Sequence, residues 1–165
     1  MLYEGGMHCY AEATDPADPN HGIRFDEIEI VGGMRCWESY ARLLGKLGKG
    51  EERELEGGFA VLVRDTENKD DANAVAVYML DADNDGHKVG YLAKDDAETY
   101  SVIIKQLERR GRSKVGCKAR LYGKGLGLFA RPIYHCYVCL PDPAVWLDWT
   151  FPTGSSPGPP PATDR

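Results

Sequence analysis

LVRDTENKDDANAVAVYMLDADNDGHKVGYL, the sequence of residues 62–92, alternates three strand-forming segments with two polar ones. The first strand leads into Asp65–Asp71, a loop with four acidic side chains that is too polar for a core. Ala74–Leu80 is nearly continuously apolar and short for a helix, which predicts a strand buried on both faces. Asp81–Gly86 then predicts a turn, and Lys88–Leu92 the returning strand of a hairpin.

Segments on both sides of this stretch show further strand patterns. The apolar residues of Arg24–Val31 fall on one face of an extended chain. This pattern predicts a first strand that ends at a glycine pair. Ser113–Tyr122 alternates strictly, and Leu126–Leu140 predicts one or two strands interrupted at Pro132. Glu51–Gly58, rich in glutamate, is predicted to be an acidic connector.

Two helices are predicted between these strands. A short amphipathic helix follows from apolar residues at helical spacing: Trp37, Tyr40, Ala41, Leu44 and Leu47. Lys94–Arg110 is the stronger helix pattern, since acidic residues begin it, basic residues end it and Gly111 follows as a C-terminal cap. Five to six strands and two helices without a βαβ order predict a mostly β (α+β) fold, a small antiparallel β-barrel.

The predicted domain boundaries follow changes in composition. Residues 1–22 are expected to be an irregular N-terminal arm or to include a strand fragment, and residues 23–141 to form the barrel domain. Residues 142–165, rich in proline, glycine and serine, are expected to be a disordered tail.

Composition narrows the function classes. A chain of 165 residues holds one domain and leaves no room for a motor. The net charge of −6 argues against broad affinity for nucleic acid, although a local basic patch is compatible with it. Five cysteines, no signal peptide and no apolar run near 18 residues predict a reduced cytoplasmic protein that does not contact a membrane.

The polar loop and the strand after it carry a family resemblance. The pattern Arg-Asp-x-x-Asn-x-x-Asp-x-Asn-Ala followed by Val-Gly-Tyr-Leu resembles the HIRAN domain family, and here it comprises Arg64, Asp65, Asn68, Asp71, Asn73, Ala74 and Val89–Leu92. Val31–Trp37 resembles the opening strand and turn of that family, so the resemblance covers about residues 26–123. It implies a modified OB-like barrel that grips the end of single-stranded DNA. The chain departs from the family pattern at Thr66 and Lys69, where prolines are common, and at Cys36, where an aromatic is usual.

The resemblance implies a nucleic-acid site at Arg35, Trp37, Asp71, Tyr91 and Lys94. An aromatic face stacks on a base for about 1–3 kcal/mol, and basic side chains meet phosphates. A carboxylate accepts hydrogen bonds from a terminal sugar hydroxyl and repels internal phosphates, which would favour strand ends. The competing interpretation is structural: Trp37 and Tyr91 belong to the core, and Asp71, like Asp65, Asn68 and Asn73, stabilises the loop.

A second candidate is the polar face of the alternating strand. This face carries four basic side chains that could follow a phosphate backbone: Lys114, Lys118, Arg120 and Lys124. A solvated strand face is the competing interpretation.

The sequence offers little support for a metal site or an enzyme active site. Cys136 and Cys139 form a C-x-x-C pair beside His135, with His8, Cys9 and Cys117 as further conceivable ligands. Strand alternation would send the two cysteines of the pair to opposite faces, which favours buried thiols over a zinc site. The acidic loop and turn lack the spacing of a calcium loop, and no phosphate-binding loop or nucleophile motif occurs. We therefore expect no cofactor, no metal and no catalytic residues.

The function favoured by these patterns is a non-catalytic module that recognises single-stranded or damaged DNA, with 3′ ends as its expected target. Such a module could bring a partner helicase or nuclease to its site in DNA repair or replication. The alternative is a protein-interaction or regulatory module that has kept the barrel and lost the DNA surface. The acidic net charge and Cys36 favour that alternative.

Overall fold

The structure is a computed structural model that describes residues 7–9, 25–109 and 114–143. Most of the predicted arm (residues 1–22) and of the predicted tail (residues 142–165) lies outside these described residues. So does the predicted cap at Gly111.

The described residues form seven strands, two α-helices and one 3₁₀ turn. The strands are β1 (Met7–Cys9), β2 (Phe25–Glu29), β3 (Glu52–Arg64), β4 (Val75–Leu80), β5 (Gly86–Tyr91), β6 (Lys114–Lys124) and β7 (Ile133–Pro141). The helices are α1 (Trp37–Leu44), which continues from the 3₁₀ turn Gly33–Cys36, and α2 (Lys94–Arg109). Neither helix of the described ranges is long and apolar enough to cross a membrane.

All strands belong to one mostly antiparallel sheet. Six of them follow the order β2-β7-β6-β3-β4-β5, and β1 pairs with β6 in parallel. The two ends of this order meet at a single bridge between Val31 and Tyr91, so no ladder closes the sheet. The predicted fold class, mostly β with two helices, is confirmed, and the word barrel applies only loosely.

The prediction that Glu51–Gly58 is a connector was wrong. Residues 52–58 belong to β3, which runs for 13 residues and shifts register against β6 between Leu55 and Gly58. Glutamates are tolerated here because this end of the strand is exposed and a lysine lies across from the first of them: Lys124 Nζ lies 3.1 Å from Glu52 Oε1.

The predicted face of α2 is confirmed, whereas α1 buries Tyr40 and Leu44 as predicted but ends at Leu44, so Leu47 lies beyond it. In α2, Ala97, Tyr100, Ile104 and Leu107 are buried against the sheet. The outer side of this helix is tied to β3 by an ion pair between Arg64 Nη1 and Glu108 Oε2, 2.7 Å apart.

Helix α1 is anchored by one fully buried tyrosine. The Tyr40 hydroxyl donates a hydrogen bond to the Val89 carbonyl at 3.0 Å, and its ring stacks on Tyr134 with centroids 4.9 Å apart. Val89 has no partner in the register of β5 with β4, because the pairing shifts between Val77 and Tyr78. The tyrosine hydroxyl therefore donates a hydrogen bond to a buried carbonyl that has no partner in the β-ladder.

Replacing Tyr40→Phe should lower the free energy of unfolding by about 1–3 kcal/mol, because the buried Val89 carbonyl loses its donor. Urea denaturation followed by circular dichroism measures the change. Tyr137→Phe is the matched control, since that hydroxyl lies on the half-exposed outer face of β7. Equal stability of the two variants would contradict the anchoring role.

Candidate functional site

The 3₁₀ turn presents the first predicted site residues. Gly32 adopts a left-handed conformation, with φ of 79°, and its carbonyl accepts a hydrogen bond from the Arg35 N–H at 3.1 Å. This sharp turn leaves the Arg35 side chain exposed and starts α1 with Trp37 half-buried against the core.

Tyr91 lies at the end of β5 and is already engaged. Its hydroxyl donates a hydrogen bond to Asp65 Oδ2 at 2.8 Å and accepts one from the Lys88 ammonium. The same ammonium lies 4.2 Å from the centroid of the Tyr91 ring. One ring face and the hydroxyl thus have partners within the protein, and a base would have to use the other face.

The loop between β3 and β4 is held by its own polar side chains. Asn68 Oδ1 accepts hydrogen bonds from the N–H groups of Asp70 and Asp71, each at 3.0 Å. Asp71 Oδ1 accepts the Asn73 N–H at 2.8 Å, and Asp65 Oδ1 accepts the Glu67 N–H at 3.3 Å. The structural role predicted for Asp65 and Asn68 is confirmed, and Asp71 shares it.

A cleft of about 780 Å³ opens beside Trp37. One wall is the loop of residues 45–50 after α1, and the other is the loop of residues 125–132 between β6 and β7. The Arg131 guanidinium lies 5.0 Å from the centroid of the Trp37 ring. At the rim, Leu128 and Phe129 are 98% and 104% exposed, an unusual position for two large apolar side chains.

Glycines hold the two walls together. The Gly50 N–H donates to the Gly125 carbonyl, and the Gly125 N–H donates to the Glu51 carbonyl, both at 2.8 Å. A Cβ atom on Gly125 would lie 1.9 Å from the Gly48 carbonyl oxygen, so only glycine permits this approach.

The cleft is positively charged although the chain is acidic. Lys46, Lys49 and Arg131 line it, no carboxylate does, and none of the three forms an ion pair with a described residue. Glu51, at the base of one wall, is satisfied by the Gly48 N–H at 2.9 Å and by Arg53, and these contacts hold the pKa of its carboxyl below the ordinary value.

On the outer face of β6, two of the predicted basic side chains, Arg120 and Lys124, pair with glutamates of neighbouring strands. The alternation of β6 is confirmed, since Lys118 is exposed while Cys117 and Ala119 are buried. Arg120 pairs with Glu27 of β2 at 2.5 Å and with Glu54 of β3 at 2.9 Å. Neighbouring strands therefore contribute the carboxylates that a single strand's sequence does not reveal.

The C-x-x-C pair behaves as strand alternation predicts. Cys136 is fully buried and Cys139 half-buried on the opposite face, and burial raises the pKa of Cys136 to about 12. His135 Nδ1 lies 2.6 Å from Glu29 Oε1. Within the described part of the chain, no three His, Cys, Asp or Glu side chains converge as metal ligands.

The acidic turn of the β4–β5 hairpin also has a structural explanation. Asp81 Oδ1 accepts the N–H groups of Asp83 and Asp85 at 2.9 Å, and Asp81 Oδ2 lies 2.7 Å from His87 Nε2. This carboxylate organises the turn.

One of the predicted site residues lines the cleft. Trp37 lines the cleft, whereas Tyr91 and Asp71 lie outside its lining, and Lys94 is exposed at the start of α2. The sequence analysis missed five further lining residues: Lys46, Lys49, Leu128, Phe129 and Arg131. The available signal was two glycine-rich segments, GKLGKG and GKGLGL, each with basic residues in or beside it.

The sequence model of the HIRAN domain family matches residues 42–118, just under half of the chain. Residues 42–118 are thus similar to the HIRAN domain family. HIRAN domains bind nucleic acid and have no catalytic activity of their own. The matched segment includes Lys46, Lys49 and Tyr91, while Trp37 precedes it and Arg131 follows it.

One solved structure and the curated proteins complete the comparison. The crystal structure of the HIRAN domain of human HLTF is similar over 83% of this chain and 94% of that chain, with 18% sequence identity and a TM-score of 0.33. No curated protein matches the chain.

Gly125→Ala should destabilise the chain by about 1–3 kcal/mol, because the new methyl group displaces the facing loop. Gly48→Ala is the matched control, since its Cβ would meet only Glu51 Oε2, at 3.5 Å. Urea denaturation of both variants measures the difference. A Gly125→Ala variant as stable as Gly48→Ala would show that the close approach at Gly125 does not hold the two walls together.

Proposed function

We propose that this chain is a non-catalytic module that binds single-stranded or damaged DNA, with strand ends as its target. In this proposal it brings a partner enzyme, such as a helicase or nuclease of DNA repair or replication, to that DNA. The observation that carries the proposal is the cleft beside Trp37, where positive charge and aromatic surface occur together.

Charge supports a nucleic-acid ligand. Phosphates are the dominant source of protein–nucleic acid affinity, and they require basic side chains that are not already neutralised. Lys46, Lys49 and Arg131 meet that requirement, whereas Arg120 and Lys124 on the outer face are paired with glutamates. A role for Lys118 and Arg120 in tracking the backbone stays a prediction.

Aromatic surface supports a single strand. Unstacked bases pack on aromatic rings, and guanidinium groups stack on bases in the same way. Trp37 and Arg131 form one such platform, and Phe129 at the rim offers a second face. Duplex DNA keeps its bases stacked internally and cannot use these surfaces.

End recognition rests on the second group of predicted residues. Arg35 and Lys94 are exposed and available to phosphates, and a base would stack on the face of Tyr91 that Lys88 does not cover. Asp71 Oδ1 already accepts a hydrogen bond within its loop, so only Oδ2 would accept one from a 3′-hydroxyl.

A protein-interaction module is the second candidate function. The observation that favours it is the full exposure of Leu128 and Phe129, because such apolar pairs also mark sites where proteins dock. Under this alternative the cleft would accept a side chain of a partner in place of a base.

Trp37→Ala should weaken binding of a labelled single-stranded oligonucleotide about 5- to 150-fold, the loss expected for one stacking platform. Fluorescence anisotropy at two salt concentrations measures it, with duplex DNA as a comparison ligand. Tyr137→Ala, an aromatic of the outer face, should leave the affinity unchanged. Absence of binding to any DNA at low salt would overturn the proposed function in favour of the interaction module.

A free 3′-hydroxyl should be preferred to an uncharged 3′-deoxy end, and Asp71→Ala should abolish that preference because the hydroxyl loses its acceptor. Competition anisotropy with the two oligonucleotides measures the ratio. Asp70→Ala, at the exposed neighbouring carboxylate, is the matched control. If both variants keep the wild-type ratio, Asp71 acts only within its loop.

A further inference from the structure

The cleft beside Trp37 concentrates charge in a way that the rest of the surface does not. Elsewhere many of the basic side chains are offset: Arg53 by Glu51, Arg64 by Glu108, Arg120 by Glu27 and Glu54, and Lys124 by Glu52. Lys46, Lys49 and Arg131 have no such partner among the described residues and share one cavity. Their charge is available to a ligand.

Two of these groups, Lys49 and Arg131, pack against other residues of the cleft. The stem of Lys49 lies 3.7–3.9 Å from the position that a Cβ on Gly127 would occupy, so it packs along the opposite wall. The hydrogen bonds of Gly125 with Gly50 and Glu51 join the two walls, and the Arg131 guanidinium lies over the Trp37 ring. A site with restrained cations discriminates between ligands better than scattered surface lysines do.

We propose that this cleft binds the 5′-terminal phosphate of a DNA strand. A terminal phosphomonoester carries a charge of about −1.5 to −2 at neutral pH, whereas an internal phosphodiester carries about −1. Three unpaired cations without a carboxylate therefore favour the terminal group. The inference rests on the proposed function and adds the chemical group that the cleft selects.

The position of Asp71 decides which end is bound. A carboxylate repels phosphate, and Asp71 lies in the β3–β4 loop outside the cleft lining, where the proposed function assigns it a 3′-hydroxyl. The cleft, lacking carboxylates, suits the opposite terminus. Leu128 and Phe129 at the rim would cover the base or sugar of the terminal nucleotide whose phosphate lies inside.

The test uses the full chain and one oligonucleotide sequence with an internal label and four different ends. These are a 5′-hydroxyl, a 5′-phosphate, a 5′-phosphate methyl ester and a 3′-phosphate. Anisotropy titration should give a dissociation constant about five-fold lower for the 5′-phosphate than for the 5′-hydroxyl, because the phosphate adds a charge of about −1.5 to −2 near the cations. The methyl ester, which keeps the size and one of the charges, should give a dissociation constant between those of the 5′-phosphate and the 5′-hydroxyl.

Two variants locate the effect. Lys49→Gln should bring the ratio of 5′-hydroxyl to 5′-phosphate dissociation constants close to one. Lys105→Gln removes the same charge from the exposed side of α2 and should keep the wild-type ratio.

The outcomes separate the inference from the proposed function. Equal affinity for the 5′-phosphate and 5′-hydroxyl ends would overturn the inference and leave the binding module intact. Tightening by a 3′-phosphate to the same degree would overturn the choice of terminus. Failure to bind all four oligonucleotides would overturn both.

Discussion

The rest of the candidate site depends on two backbone hydrogen bonds between Val31 and Tyr91, 2.8 and 2.9 Å long. They join the ends of the strand order and fix the chain where it leaves β2. Gly90 makes the contact possible, since a Cβ there would lie 2.3 Å from the Val31 oxygen. One residue later, the left-handed Gly32 turns the chain into the 3₁₀ turn and delivers Trp37 to the cleft. A local close approach of two backbones thus positions a binding surface.

Sequence periodicity predicted the parts of the fold in which one face is buried. The apolar positions of α2 and the alternation of β6 are confirmed because the core selects apolar side chains at regular intervals. It failed at residues 52–58, where β3 projects beyond the core and glutamates replace apolar residues. A strand that is stabilised by cross-strand ion pairs carries no apolar signal for such reasoning to detect.

The cleft was not predictable from periodicity for a related reason. Its walls are loops of residues 45–50 and 125–132, about 80 positions apart, and only the pairing of β3 with β6 brings them together. The apolar content of Leu126–Leu140 suggested strands, which hid the exposure of Leu128 and Phe129. Trp37, which the family resemblance names as a site residue, lines the cleft, and its binding role stays a prediction.

The net charge of the chain does not describe the local charge of a single surface. The chain carries −6, yet its carboxylates are segregated: those of the loop and the hairpin turn hold their own backbone, and those of β2 and β3 hold Arg120 and Lys124. Lys46, Lys49 and Arg131, which pair with no carboxylate among the described residues, share one cleft. Such an arrangement penalises a long strand, whose further phosphates would meet carboxylates, far more than a short end. The acidic balance that argues against general nucleic-acid affinity therefore favours a module that binds only termini.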